Sequence, residues 1–253
     1  MISFGFFRKQ TEDYAVRGSA SDVGKVRAAL GVLAALLGSL GLWILLAELT
    51  SPRLNYFPAN PDEADAMYAV RDSALTAAKV GMVRGDLWTD AAVTMAAPSL
   101  FGTTGSSREH ASQSEVEKIR AIIDRAARLS PHDSRIWLVL ASLDFRVDRN
   151  DPRGTETLKL SYYTGPNEIS LMPLRLLLAV RSGAILDEEV QSLVPLDIQR
   201  IIMQRPDLKP AIALAYKNAL PKGRQIIESA LKETDPRFLA TIVVSDRGNR
   251  IPD

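Results

Sequence analysis

Residues Ala28 to Ala47, AALGVLAALLGSLGLWILLA, are 20 consecutive positions without a charge, 16 of them apolar. As an α-helix rising about 1.5 Å per residue, such a run spans roughly 30 Å, the thickness of a bilayer's hydrocarbon core. A buried core helix of that length normally keeps a polar face. Here the one hydroxyl is that of Ser39, which can bond back to its own helix. A cleavable signal peptide is the nearer competitor, but its apolar region usually covers about 7 to 15 residues and ends at a small-residue site. This run is longer, follows 27 largely polar residues and ends in Leu46-Ala47-Glu48. It reads as a single uncleaved transmembrane helix.

The flanking charges orient it. Residues 1–27 carry five basic groups (Arg8, Lys9, Arg17, Lys25, Arg27) against three acidic ones, whereas residues 48–67 carry Arg53 alone against four acidic ones. The positive-inside rule then puts the N-terminus in the cytoplasm and residues 48–253 outside the cytoplasmic (inner) membrane, which in a Gram-negative cell means the periplasm. Trp43, Tyr56 and Phe57 fall where aromatic rings favour the membrane interface. Gly31, Ala35 and Ser39 form a small-residue stripe that would let two such helices approach closely, as in a homodimer through the transmembrane helix.

The whole chain has 253 residues, 31 basic and 30 acidic groups, two His and no Cys. A net charge so near zero argues against a nucleic-acid partner. The lack of Cys removes disulfides, thiolate zinc sites and cysteine nucleophiles.

Beyond the apolar run, Pro52, Pro58 and Pro61 mark an extended linker over 48–63. A helical period follows over 64–84, with a further helical stretch over 86–97 ending at Pro98 and a Gly/Ser/Thr-rich loop at 101–107. Ser114 and Glu117 have capping-box spacing at the head of the next helix. Further helices are expected at 134–146, 155–163, 169–181, 187–204, 209–220 and 222–234, each bounded by Pro, Gly or a turn such as Asp148 to Gly154. The fold class is therefore all-α: an N-terminal transmembrane helix and an extracytoplasmic stack of antiparallel helical hairpins over 64–235. Residues 236–253 form a C-terminal tail in which 238–245 can be helix or strand.

Pro131, Pro166, Pro206 and Pro236 bracket segments of hairpin length. Around the first of them, Ala126, Pro131, Trp137, Leu140 and Ala141 occupy the positions of a tetratricopeptide unit boundary. On these residues the chain resembles a degenerate tetratricopeptide-like protein over about 112–235. The later joints depart from the pattern, with Met172 at the aromatic position and Leu176 near the small one. The strings Ser130 to Trp137 and Leu160 to Glu168 also resemble small anchored proteins that accompany bacterial envelope polysaccharide systems, which implies a place in polysaccharide biosynthesis or export.

Catalytic signatures are missing: no phosphate loop, no dinucleotide fingerprint, no HExxH and no nucleophile elbow. His110 and His132 stand apart in loop or helix-start positions, and Asp148, Asn150 and Asp151 fail calcium-loop spacing at Arg153 and Lys159. No catalytic residue, metal or cofactor is expected. The most suggestive binding string is Tyr162-Tyr163, since adjacent helical residues point about 100° apart and one ring can face a groove while the other packs inward. With Trp137, and with Arg175 and Arg181 on the next helix, these rings offer a candidate surface for a partner protein or a glycan.

Two functional expectations follow. The first is a non-enzymatic adaptor or scaffold that is held in the envelope by one helix and binds a partner protein. The second is a glycan-binding or glycan-modifying accessory using Trp137, Tyr162, Tyr163 and Arg175.

Overall fold

The computed structural model describes residues 6–52, 57–58, 63, 66–67, 69–100 and 113–248, with side chains described only outside 6–22, 98–100, 113–114 and 246–248. Among these residues every regular element is helical. The chain divides into two units, Met1–Leu49 and Thr50–Asp253. His110 lies outside the described residues.

The first unit is built from α1, Phe6–Thr50, an unbroken helix that starts well before the apolar run and continues past it. Its stretch Val23–Thr50 has a mean hydropathy of 2.3 and is long and apolar enough to cross a membrane, a test of length and composition that a signal sequence also passes. Leu30, Leu33, Leu36, Leu37 and Leu40 are exposed. Gly31 has open space where a side chain would stand, and the Ser39 hydroxyl donates to Leu36 O at 2.9 Å, as an isolated helix hydroxyl should.

The second unit contains α2 (Arg71–Gly81), α3 (Gly85–Leu100), α4 (Gln113–Leu129), α5 (Ser134–Val147) and α6 (Pro152–Thr164), followed by α7 (Met172–Arg181), α8 (Glu188–Gln204), α9 (Lys209–Asn218), α10 (Pro221–Thr234) and α11 (Pro236–Gly248). Short 3-10 turns at Ile169–Leu171, Gly183–Leu186 and Pro206–Leu208 join the later helices. In the first half α3 packs against α2, α4 and α5, and α5 against α6. In the second half α7 packs against α9, α8 against α10, and α7 against α8.

Several boundaries differ from the sequence reading. The helix expected over 64–84 is interrupted: residues 63, 66 and 67 are helical, 69–70 form a turn, and Arg71–Gly81 is a separate helix that ends at a turn where Met82 has φ 44°, a left-handed conformation that costs an L-residue roughly 1–2 kcal/mol. Two donors satisfy its carbonyl: the Trp88 indole N–H at 3.0 Å and Arg125 Nη2 at 3.4 Å. The helix expected to stop at Pro98 continues to Leu100. Ser114 is the second residue of α4 rather than its cap. The turn after Asp148 ends sooner, because Asp151 caps Arg153 N–H and Pro152 sits at the first helical position, where its missing donor costs nothing. Residues 236–248, read as a tail with an open choice at 238–245, are helical and pack on α10.

Most helices bury one stripe, as amphipathic surface helices do. The exception is α7. Every residue from Leu171 to Val180 is buried, which makes it the central helix of its half and leaves no solvent face on which a charge could sit.

Candidate functional site

The loop between α4 and α5 begins where Ser130 N–H closes the end of α4 on Ala126 O at 2.7 Å. Asp133 ends it by capping α5, accepting from Arg135 N–H at 3.0 Å. The same carboxylate holds the Arg135 guanidinium at 2.8 Å, and Arg135 reaches on to Asp90 of α3 at 2.7 Å. Burial works against a charged Arg135, yet its bonds to Asp133 and Asp90 raise its pKa above the ordinary arginine value. Trp137 fastens the loop from the other side, its indole N–H donating to Pro131 O at 2.8 Å.

Two glycines let neighbouring segments close on this loop. A Cβ at Gly85, the first residue of α3, would lie 1.9 Å from Ser130 Oγ, and one at Gly165, just past α6, would lie 2.3 Å from Ser134 Oγ. Each position therefore accepts only glycine without a shift. The chain then turns through Glu168 N–H to Gly165 O at 3.2 Å and enters the 3-10 turn before α7.

Between these segments lies an open cleft of about 760 Å³. Its walls are Asp86 of α3, the Ser130-Pro131-His132-Asp133 loop, Ser134 and Arg135 of α5, and Thr164, Gly165, Glu168 and Ser170, with Phe57 at one side. Three carboxylates and one guanidinium face it. Asp86 is bound by Arg84, whose hydrogen bond pulls the carboxyl below the usual carboxylate range despite partial burial. Asp133 is bound by Arg135. Glu168 is exposed, and its carboxylate makes no hydrogen bond to a described residue. Among the described residues no hydrogen bond joins His132 to Ser130, Ser134 or Ser170, and no group of three or more His, Cys, Asp or Glu could hold a metal ion. The cleft thus presents hydrogen-bonding groups and an excess of carboxylates.

The four aromatic and arginine residues singled out from sequence do not form one surface. Trp137 is partly exposed beside the cleft and braces its loop. Tyr163 is 53% exposed, and its hydroxyl donates to Glu189 of α8. Tyr162 and Arg175 are buried in the core, at 3% and 0% exposure, so neither can face a glycan or a partner in this conformation. Arg175 instead caps the end of α6, donating to Ser161 Oγ and Gly165 O at 2.9 Å each and also to Ser161 O. Asp197 of α8 completes this buried cluster. Burial pushes its carboxyl up to about 7 against the pull of Arg175 and of the Tyr162 hydroxyl beside it.

Comparison of the chain with protein-family models, with characterised proteins and with solved structures finds no match.

Proposed function

We propose that this chain is a membrane-anchored, non-enzymatic adaptor of the cell envelope, with α1 as its anchor and the cleft at the head of α5 as the place where a segment of a partner protein binds. The observation that carries the proposal is the cleft itself. It is open and of mixed polarity, its loops are braced by Trp137, Arg135 and two glycine contacts, and it has no nucleophile–base pair among the described residues. Rigid loops on a helical scaffold suit recognition, because little ordering entropy is lost on binding. Its carboxylates, among them the exposed Glu168 with no hydrogen bond to a described residue, favour a polar segment bearing Lys or Arg.

Exposed leucines along Val23–Thr50 support the anchor, since so long an apolar helix needs an apolar solvent. The charge asymmetry around it supports a cytoplasmic N-terminus and an extracytoplasmic cleft. In this reading the helices of 64–235 are degenerate tetratricopeptide-like hairpins; their neighbour-on-neighbour packing supports a stack of that kind. The resemblance to anchored companions of polysaccharide systems suggests an export or biosynthetic assembly as the setting. A glycan-binding role draws less support, because two of its four residues, Tyr162 and Arg175, are in the core.

The test is affinity capture of the full chain from gently solubilised membranes, wild type against Glu168→Lys. The wild type should return a defined envelope protein and the variant should lose it. Identical captures, or none with the wild type, would reject the cleft as the docking place. A C-terminal alkaline phosphatase fusion should be active if the orientation holds.

A further inference from the structure

At the other end of α5, two arginines stand together without a counter-charge. Arg149 lies in the α5–α6 turn and Arg181 is the last residue of α7. The backbone fixes them relative to each other: Gly183 N–H donates to Arg149 O at 2.8 Å, and Asn150 lies so close that a Cβ on Gly183 would come within 2.7 Å of its Oδ1. Arg181 is half-buried, and its pKa falls below the ordinary arginine value, first through burial and then through the charge of Arg149. Neither guanidinium makes a hydrogen bond or ion pair with a described residue.

The carboxylates of the same turns are all committed elsewhere. Asp148 accepts from Asn150 N–H, Asp151 holds Arg153, and Asp187 caps α8 and binds Lys159. The C-terminal dipole of α7 offsets part of the cost of Arg181, but it does nothing for the exposed Arg149. Proteins seldom leave a partly desolvated charge beside a like charge unless an ion from elsewhere completes the site. Guanidinium forks fit oxyanions, above all carboxylates and phosphates.

We infer that Arg149 and Arg181 form a second docking point, which takes the carboxylates of an acidic segment of a partner protein. The proposal rests on the adaptor reading and adds to it. Two exposed apolar side chains, Val147 at 78% and Leu186 at 68%, flank the pair within a few residues. They give an acidic, leucine-bearing peptide something to cover that a free phosphate would leave bare. At about 1.5 Å per residue the 14 residues of α5 put this point roughly 20 Å from the cleft, so one elongated partner can reach both.

The test uses the full chain in neutral detergent at fixed ionic strength, with a capped peptide of alternating Glu and Leu as the probe and its Gln-for-Glu counterpart as the control. The acidic peptide should raise the thermal midpoint by about 3 °C, and the control should not. Arg149→Gln should abolish the shift while leaving the unliganded protein as stable as the wild type or more so, because it relieves repulsion; Arg181→Gln should also abolish it. Equal shifts in wild type and variants, or no shift at all, would overturn the proposal. So would inorganic phosphate or phosphatidylglycerol vesicles giving the same Arg-dependent effect at lower concentration. Such a failure would leave the adaptor reading standing as long as capture still depends on Glu168.

Discussion

The Arg175 guanidinium sits 5.0 Å from the centre of the Tyr162 ring, with both residues sealed inside the helical core. A cation over an aromatic face gains most when water is excluded, and here that contact comes with three hydrogen bonds to the end of α6. One of them holds Gly165, which lines the cleft. Core electrostatics and cleft shape therefore share an atom, the carbonyl oxygen of Gly165.

Truncating this arginine should be severe. Arg175→Ala removes three buried hydrogen bonds, leaves the Ser161 and Gly165 carbonyls with only their backbone donors, Gly165 N–H and Glu168 N–H, and takes from Asp197 one of the two cations acting on it, a change expected to cost about 3–5 kcal/mol. Arg175→Lys should recover only part of it, since one ammonium nitrogen cannot reach all of the acceptors that the guanidinium meets with three separate nitrogens. Urea unfolding followed by tryptophan fluorescence would show both effects. An Arg175→Ala midpoint equal to wild type would mean that the cluster contributes nothing.

Asp197 should give the domain an unusual pH profile. Its carboxyl is held at about 7 in the fold against an ordinary value of 3.8, so the folded state binds the proton more tightly than the unfolded state. No penalty exists below pH 3.8. It grows as pH rises and is complete above about 7, amounting to at most about 4 kcal/mol. The charges acting on it are those of Arg175 and Arg200, with Tyr162 alongside. Asp197→Asn should be more stable than wild type at pH 8 and nearly equal to it at pH 4. A difference between the two proteins that does not change with pH would refute the assignment.

The Gly165–Ser134 approach offers a two-step test of the cleft. Gly165→Ala places a methyl 2.3 Å from Ser134 Oγ and 2.6 Å from its Cβ, so one segment must move, at a cost of about 1–3 kcal/mol. Ser134→Gly removes both atoms. Combined with Gly165→Ala it should recover much of the loss, a coupling that a double-mutant cycle measures. Purely additive effects would place the strain elsewhere.

How much of this was legible in the sequence depended on the range of the interaction. The helix at 134–146 is readable because its apolar period is local, and it ends one residue later, at Val147. The membrane-length helix was readable because a bilayer demands only length and apolarity. Arg175 was not. A charge on a helix defaults to solvent, and nothing nearby in sequence says that the Ser161 and Gly165 carbonyls at the end of α6 come against it or that α7 is covered on every side. The cleft is half legible: Pro131 reads as a unit boundary in the sequence, but the other walls arrive from Asp86 and Glu168, tens of residues away in either direction. The Arg149–Arg181 pair escaped for the same reason, being joined by one backbone hydrogen bond across the turn at Gly183.

The anchor can be tested against its competitor directly. If α1 spans the membrane, protein recovered from membranes retains its N-terminus and resists extraction by alkaline carbonate. A cleaved signal sequence would instead leave a shorter, extractable product. Leu37 lies near the middle of Val23–Thr50 and is exposed there. Leu37→Arg puts a charge at the depth where insertion costs about 2.5–3.5 kcal/mol, and should move a substantial share of the protein out of the carbonate-resistant fraction. Ser39→Leu makes the helix more apolar and should leave that fraction unchanged. It also fills the small-residue stripe, so if Gly31, Ala35 and Ser39 form a dimer seam, crosslinking between copies should fall in this variant while anchoring persists.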